Sequence, residues 1–134
     1  MREITVRTRT HSALVDITSE VARTVTESAV QEGFCTVFVP HTTAGVTINE
    51  NADPSVVDDI ERALDTLIPW QGPYKHSEGN SAAHIKATLV GSSVRITEIN
   101  GRLALCTWQG VYFCEFDGPR DRKCIIGVIA EARG

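Results

Sequence analysis

The sequence predicts a single α+β domain, roughly seven antiparallel strands with two to three helices, and three observations carry that expectation. Short β-branched or alternating apolar runs recur along the chain. Two longer segments show helical apolar spacing behind residues suited to capping, and beyond residue 93 the pattern is strand throughout. The 134 residues match the length of one domain, with no repeat or low-complexity linker to divide residues 1–134. A chain of this size buries roughly two-thirds of the surface it exposes when unfolded, so one hydrophobic core suffices.

Residues 2–10 come first, with Ile4 and Val6 on one face and charged residues or threonines between. Leu14–Ile17 is a second, short extended segment. Thr18 or Ser19 can cap a helix to about Gln31, whose Val21, Val25 and Ala29 share a face. Gly33 suits a left-handed stop behind it. Residues 34–39 are β-branched and aromatic, hence a buried strand that Pro40 ends. Val46-Thr47-Ile48 resumes as a strand and runs into Asn49-Glu50-Asn51. Asp53 as N-cap and Pro54 as first helical residue open a second helix. Its apolar stripe is Val57, Ile60, Ala63, Leu64 and Leu67, opposite a solvated face of Asp58, Asp59, Glu61, Arg62 and Asp65.

Residues 69–80 lack any period, and a loop that long in a small domain is usually functional or mobile. Ser81 can cap a third helix over 82–90, stopped by Gly91. Val94, Ile96 and Glu98 then alternate with Arg95, Thr97 and Ile99. Asn100-Gly101 is the strongest hairpin signal, and residues 102–107, 111–116 and 123–131 complete the antiparallel run.

A net charge of -4 argues against broad nucleic-acid binding, which needs a basic face. Arg102, Arg120, Arg122 and Lys123 cluster late and suit a local anion site. No apolar run approaches the roughly 20 residues that span a bilayer, and the N-terminus has no signal-peptide core, so a cytoplasmic location is expected. Cys35, Cys106, Cys114 and Cys124 form no CxxC pair and sit among apolar neighbours, which suits buried free thiols.

Chemistry concentrates in three polar stretches at the ends of apolar elements: His41-Thr42-Thr43-Ala44, His76-Ser77-Glu78-Gly79-Asn80 and His84-Ile85-Lys86. Neutral imidazole ligates divalent metals and exchanges protons near neutral pH. Separations of 35 and 8 residues match no zinc motif, so a metal centre and a metal-free polar pocket are equally consistent with His41, His76 and His84. Glu78 can be a ligand, a partner orienting an imidazole, a general base or a solvated loop carboxylate. Lys86 can hold phosphate or lie on the surface; on a helix it faces away from His84. Asn49 and Glu50 precede a capped helix, where anions and oxygen-rich sites gather. In Thr107-Trp108-Gln109-Gly110, Trp108 can stack on a planar ring or pack in an interface, and Gln109 can donate and accept. Arg120 and Arg122 can bind phosphate or pair with carboxylates.

Together these segments resemble the YjbQ family, UPF0047, over nearly the whole chain. The matching pieces are His41-Thr42-Thr43-Ala44, Thr47-Ile48-Asn49-Glu50-Asn51, Asp53-Pro54, His76 with Glu78-Gly79, His84-Ile85-Lys86, Gly101-Arg102 and Thr107-Trp108-Gln109-Gly110. The resemblance implies a small α+β homotrimer, a histidine site discussed as binding a divalent metal, zinc or magnesium, and a thiamine phosphate synthase activity. That reaction joins a pyrimidine methyl pyrophosphate to a thiazole phosphate and releases pyrophosphate. On this expectation His41, His76 and His84 hold metal; Glu78, Glu50, Lys86 and Gln109 are catalytic; Asn49, Trp108, Arg120 and Arg122 bind a small phosphorylated substrate. A metal-dependent hydrolase at the same site and a non-enzymatic binder of a small anion are the alternatives.

Overall fold

In the computed structural model, residues 1–132 are described, and their eight strands sort into two antiparallel sheets. In chain order the elements are β1 (Arg2–Arg7), β2 (Ala13–Asp16), α1 (Thr18–Ser28), β3 (Gly33–Phe38), β4 (Ala44–Glu50), α2 (Pro54–Leu67), α3 (Ser81–Val90), β5 (Ser93–Ile99), β6 (Arg102–Leu103), β7 (Gln109–Glu115) and β8 (Asp121–Ala130). The larger sheet has the order β1-β8-β3-β5-β6 and the smaller β2-β7-β4. Among the described residues no helix is long and apolar enough to cross a membrane.

Strand alternation explains how the layers stack. Val6, Cys35, Val37, Ile96, Cys124 and Ile126 of the larger sheet meet Ala44, Val46, Val111 and Phe113 of the smaller one, and α1 adds Val21 and Val25. The opposite face of β7 turns Tyr112 and Cys114, with Phe116 beyond it, toward Ala83 and Ala87 of α3 and Val57 and Leu64 of α2. Buried on both sides, β7 reads as a near-continuous apolar run, Val-Tyr-Phe-Cys-Glu-Phe.

The single sheet expected from the sequence is thus two. Pro40–Thr43 carry the chain out of β3 in one sheet and into β4 of the other, so sequence neighbours are not sheet neighbours. The strand expected over 102–107 shrinks to Arg102–Leu103, because Gln109 Oε1 accepts from the Cys106 N–H and closes a loop across to β7. Helix α1 ends at Ser28 rather than near Gln31, and Ala29, not Gly33, takes the left-handed position at φ 59°. Gly33 instead opens β3 against β8, where a Cβ would lie 2.0 Å from the Ile129 carbonyl oxygen. Ile17 is the N-cap of α1, with the Asp16 carboxylate accepting from the Thr18 N–H and hydroxyl. Asn80, not Ser81, is the N-cap of α3. Asp53 caps α2 as expected, accepting from Ser55 N at 2.9 Å. Three of the four thiols are buried, and burial pushes Cys35 and Cys114 up to about 12 and Cys124 to about 11. Cys106 departs from the expectation and is exposed, since its segment lies outside both sheets.

Candidate functional site

Three recesses sharing lining residues run along one side of the molecule and gather the three histidines. His41 stands in the β3–β4 crossover, just past Pro40. Its Nε2 accepts from the Lys123 backbone N–H at 2.9 Å, which leaves Nδ1 to carry the proton of the neutral ring. Burial and the nearby Arg122 charge hold its pKa below the ordinary histidine value. The ring is therefore neutral at physiological pH.

His84 sits on α3 and His76 in the preceding loop, their rings 5.3 Å apart between centroids and nearly perpendicular. A turn closed by the Gly79 N–H on the His76 carbonyl, with Gly79 at φ 75°, brings Glu78 back to 4.0 Å from His76 Nε2. His84 lines two recesses. One, of about 320 Å³, lies against Tyr74, His76 and Ile85. The other, of about 350 Å³, lies against His41, Thr42 and Thr88. His41 and Thr42 continue into a third, of about 550 Å³, walled by Phe38, Ser92, Arg120 and Arg122.

Arg122 is held by a buried network. It is 2% exposed and its Nε and Nη2 donate to Glu115, which is fully buried, while Nη2 also donates to Thr43 Oγ1 at 2.8 Å. Glu115 further accepts from Thr8 Oγ1 at 2.7 Å and from the N–H groups of Phe116 and Asp117. Burial alone would raise the Glu115 carboxyl, but these donors outweigh it and keep it below its ordinary value. Arg120 is looser: its Nε donates to the Asp117 carbonyl and its Nη2 to the Asp117 carboxylate.

The other expected site residues lie elsewhere. Lys86 is buried on another face of α3, donates to Asp65 of α2 and lines a separate recess with His11 and Trp70. Asn49, Glu50, Trp108 and Gln109 gather at the far end of the β4–β7 ladder, where Glu50 pairs with Gln109 and the Asn51 N–H donates to the Trp108 carbonyl. Ala44 and Glu50 are the two ends of β4, about 20 Å of extended chain. Trp108 is 59% exposed, so within one chain it neither packs in the core nor faces the histidines.

The three histidines do not form one ligand set. Among the described residues, no three His, Cys, Asp or Glu side chains are placed to hold a metal ion. The Nε2 lone pair of His41 is already occupied by Lys123, and His76, Glu78 and His84 remain a local cluster beside it. The divalent ion expected from the sequence does not fit the donors that the described residues of a single chain offer. Thr42 enters the site with the His41 stretch that the sequence marked, whereas Tyr74, Ser92 and Glu115 enter it unmarked. Only Glu115 carried a signal, as a lone charge inside the apolar run Phe-Cys-Glu-Phe.

Comparison with known proteins adds a family. Residues 2–131 match the family model described as UPF0047 protein YjbQ-like. The UPF0047 protein YugU of Bacillus subtilis is 47% identical over 127 residues, covering 94% of this chain and 96% of that protein. UPF0047 protein MJ1081 of Methanocaldococcus jannaschii is 49% identical over 126 residues, covering 94% and 91%. A crystal structure of a YjbQ/UPF0047 protein from Clostridium acetobutylicum superposes with a TM-score of 0.95 at 55% identity, covering 96% of this chain and all (100%) of that one. A protein from Aeropyrum pernix K1 superposes at 0.92 with 36% identity, covering 97% and 98%.

Proposed function

The chain belongs to the UPF0047 YjbQ-like family, and from that premise we propose that the histidine groove is the active site of a cytoplasmic enzyme acting on a small phosphorylated heterocycle. Thiamine phosphate synthesis is the candidate reaction. The observation that carries the reading is that the three recesses share walls, His84 between the first two and His41 between the last two. An apolar-walled end beside Tyr74 and Ile85 leads past His84 to a donor-rich end beside His41 and Arg122. Departure of pyrophosphate needs hydrogen-bond donors to the leaving oxygens, which the second end supplies. His84, between the two, is placed to exchange a proton with a bound ligand.

Incubation of the full chain with the pyrimidine methyl pyrophosphate and the thiazole phosphate tests this, with products resolved by chromatography. Thiamine phosphate is the expected product, and His84→Ala, with unchanged circular dichroism, should slow it by at least about 100-fold, the lower range for a positioned acid–base group. Release of the free pyrimidine alcohol without coupling would replace the synthase by a hydrolase. Tight binding without turnover would leave a binding protein. Metal content measured on the same sample tells whether the folded protein recruits an ion that one chain's donors do not enclose.

We also propose that the protein assembles as a homotrimer. The outer face of the larger sheet supports this reading: Phe34 pairs across the ladder with Ile129 and Phe38 with Ile125, and Phe34, Phe38 and Ile129 are 36%, 45% and 59% exposed. Contiguous apolar pairs on an open sheet face favour coverage by another protein surface. Light scattering should give three times 14.6 kDa for the wild type, and Phe38→Glu with Ile129→Lys should reduce it to one chain. A wild type that runs as a single chain refutes the assembly.

A further inference from the structure

The recess beyond His41 carries an unusual set of unpaired groups. Arg122 places Nε and Nη2 on Glu115 and Thr43, while its Nη1 has no hydrogen-bond partner among the described residues. Arg122 itself lines the recess. Arg120 commits Nε and Nη2 to Asp117 and leaves Nη1 free in the same way. His41 accepts at Nε2, so its Nδ1 is a donor. Thr42 and Ser92 complete the polar wall, and among the described residues no Asp or Glu lines it. A wall that carries N–H and O–H donors without a competing carboxylate suits a tetrahedral oxyanion.

We propose that this recess is a phosphoryl-binding subsite, with Arg122, Arg120 and His41 donating to the oxygens of a phosphate or diphosphate group and Glu115 positioning Arg122. It rests on the reading of the groove as a ligand site, and deepens it by assigning the phosphorylated end of the ligand to the His41 side and away from Lys86. The guanidinium of Arg122 cannot swing to follow a ligand, because Glu115 and Thr43 fix it on one edge. The free edge is therefore presented in one orientation. Since each arginine already faces a carboxylate, Glu115 or Asp117, the subsite binds by directed donors more than by net charge. Its affinity should accordingly fall less steeply with salt than that of a bare basic patch.

Isothermal titration of the full chain with inorganic phosphate and inorganic pyrophosphate tests the proposal. Saturable binding at one site per chain is expected, weakened at least tenfold in Arg120→Ala and in His41→Ala and unchanged in His76→Ala. Arg120 is exposed enough for its variant to fold, which keeps the test independent of the buried Arg122. No binding to wild type, equal binding by Arg120→Ala and His41→Ala, or an equal loss in His76→Ala would each overturn the subsite. Phosphate binding that follows this pattern without thiamine phosphate formation upholds the subsite and removes the synthase. Turnover with unaltered phosphate binding in both variants does the reverse.

Discussion

Arg122→Ala is expected to lower folding stability by about 3–5 kcal/mol, the range seen when one partner of a buried ion pair is removed. The reason is the group left behind. Glu115 is fully buried and keeps its charge because Arg122 donates to both of its oxygens. Without the guanidinium, the carboxylate must either stay charged in the core or take up a proton. Replacing both partners together, as Arg122→Met with Glu115→Leu, should recover most of the loss, since well-packed apolar pairs often match buried ion pairs. Urea denaturation of the two single variants and the double variant checks this, and a single-variant loss below about 1 kcal/mol would contradict a pair that matters to the fold. The pH dependence has a definite sign. Glu115 has a folded pKa below its unfolded value, so its contribution is complete above the unfolded value, near 4.5, and is lost as pH falls through the folded one.

Glu98→Leu is expected to act in the opposite direction and stabilise the protein by about 1–3 kcal/mol at pH 8, the cost of a buried polar group left without partners. Glu98 is 1% exposed on β5, and neither carboxylate oxygen has a hydrogen-bond partner among the described residues. Burial raises its pKa above the ordinary 4.5. The folded state therefore prefers the protonated form. Its favourable contribution is complete below about 4.5 and is lost as pH rises through the folded pKa. The gain from Glu98→Leu should accordingly shrink at pH 4, and thermal melts of both proteins at the two pH values provide the comparison. An equal gain at both, or a loss at pH 8, would mean that the carboxyl has a partner in solution.

The pattern of elements was largely readable because it rests on local chemistry. Asp53-Pro54 opened α2, Gly91 closed α3, and Asn100-Gly101 joined β5 to β6. The helical spacing of His84 and Lys86 already placed them on different faces, and the structure sends one to the groove and the other to Asp65. What stayed hidden depends on contacts distant in sequence. Nothing local distinguishes a β3–β4 hairpin from a crossover between sheets, and that crossover is what puts His41 beside Lys123 and Arg122. Likewise, Asn49, Glu50 and Gln109 have residue types suited to catalysis, but the β4–β7 register carries them away from the histidines. Gly33 was legible as a position that demands glycine, but the demand came from the Ile129 carbonyl of a strand far along the chain.

Strand β8 lies between β1 and β3, with Gly33 opposite Ala130 about a hundred residues downstream. During synthesis at about 5–20 residues per second, β3 therefore emerges some 5–20 s before the strand that completes it. Throughout that interval one edge of β3 is open, and Phe34 and Phe38 stand beside it. Such an edge is a template for pairing with another nascent chain. Ribosome-bound chains that stop before Asp121 should engage chaperones or aggregate, while those that have exposed Ala130 should resist proteolysis. The placement of one strand thus makes solubility in the cell a matter of timing as well as of final stability.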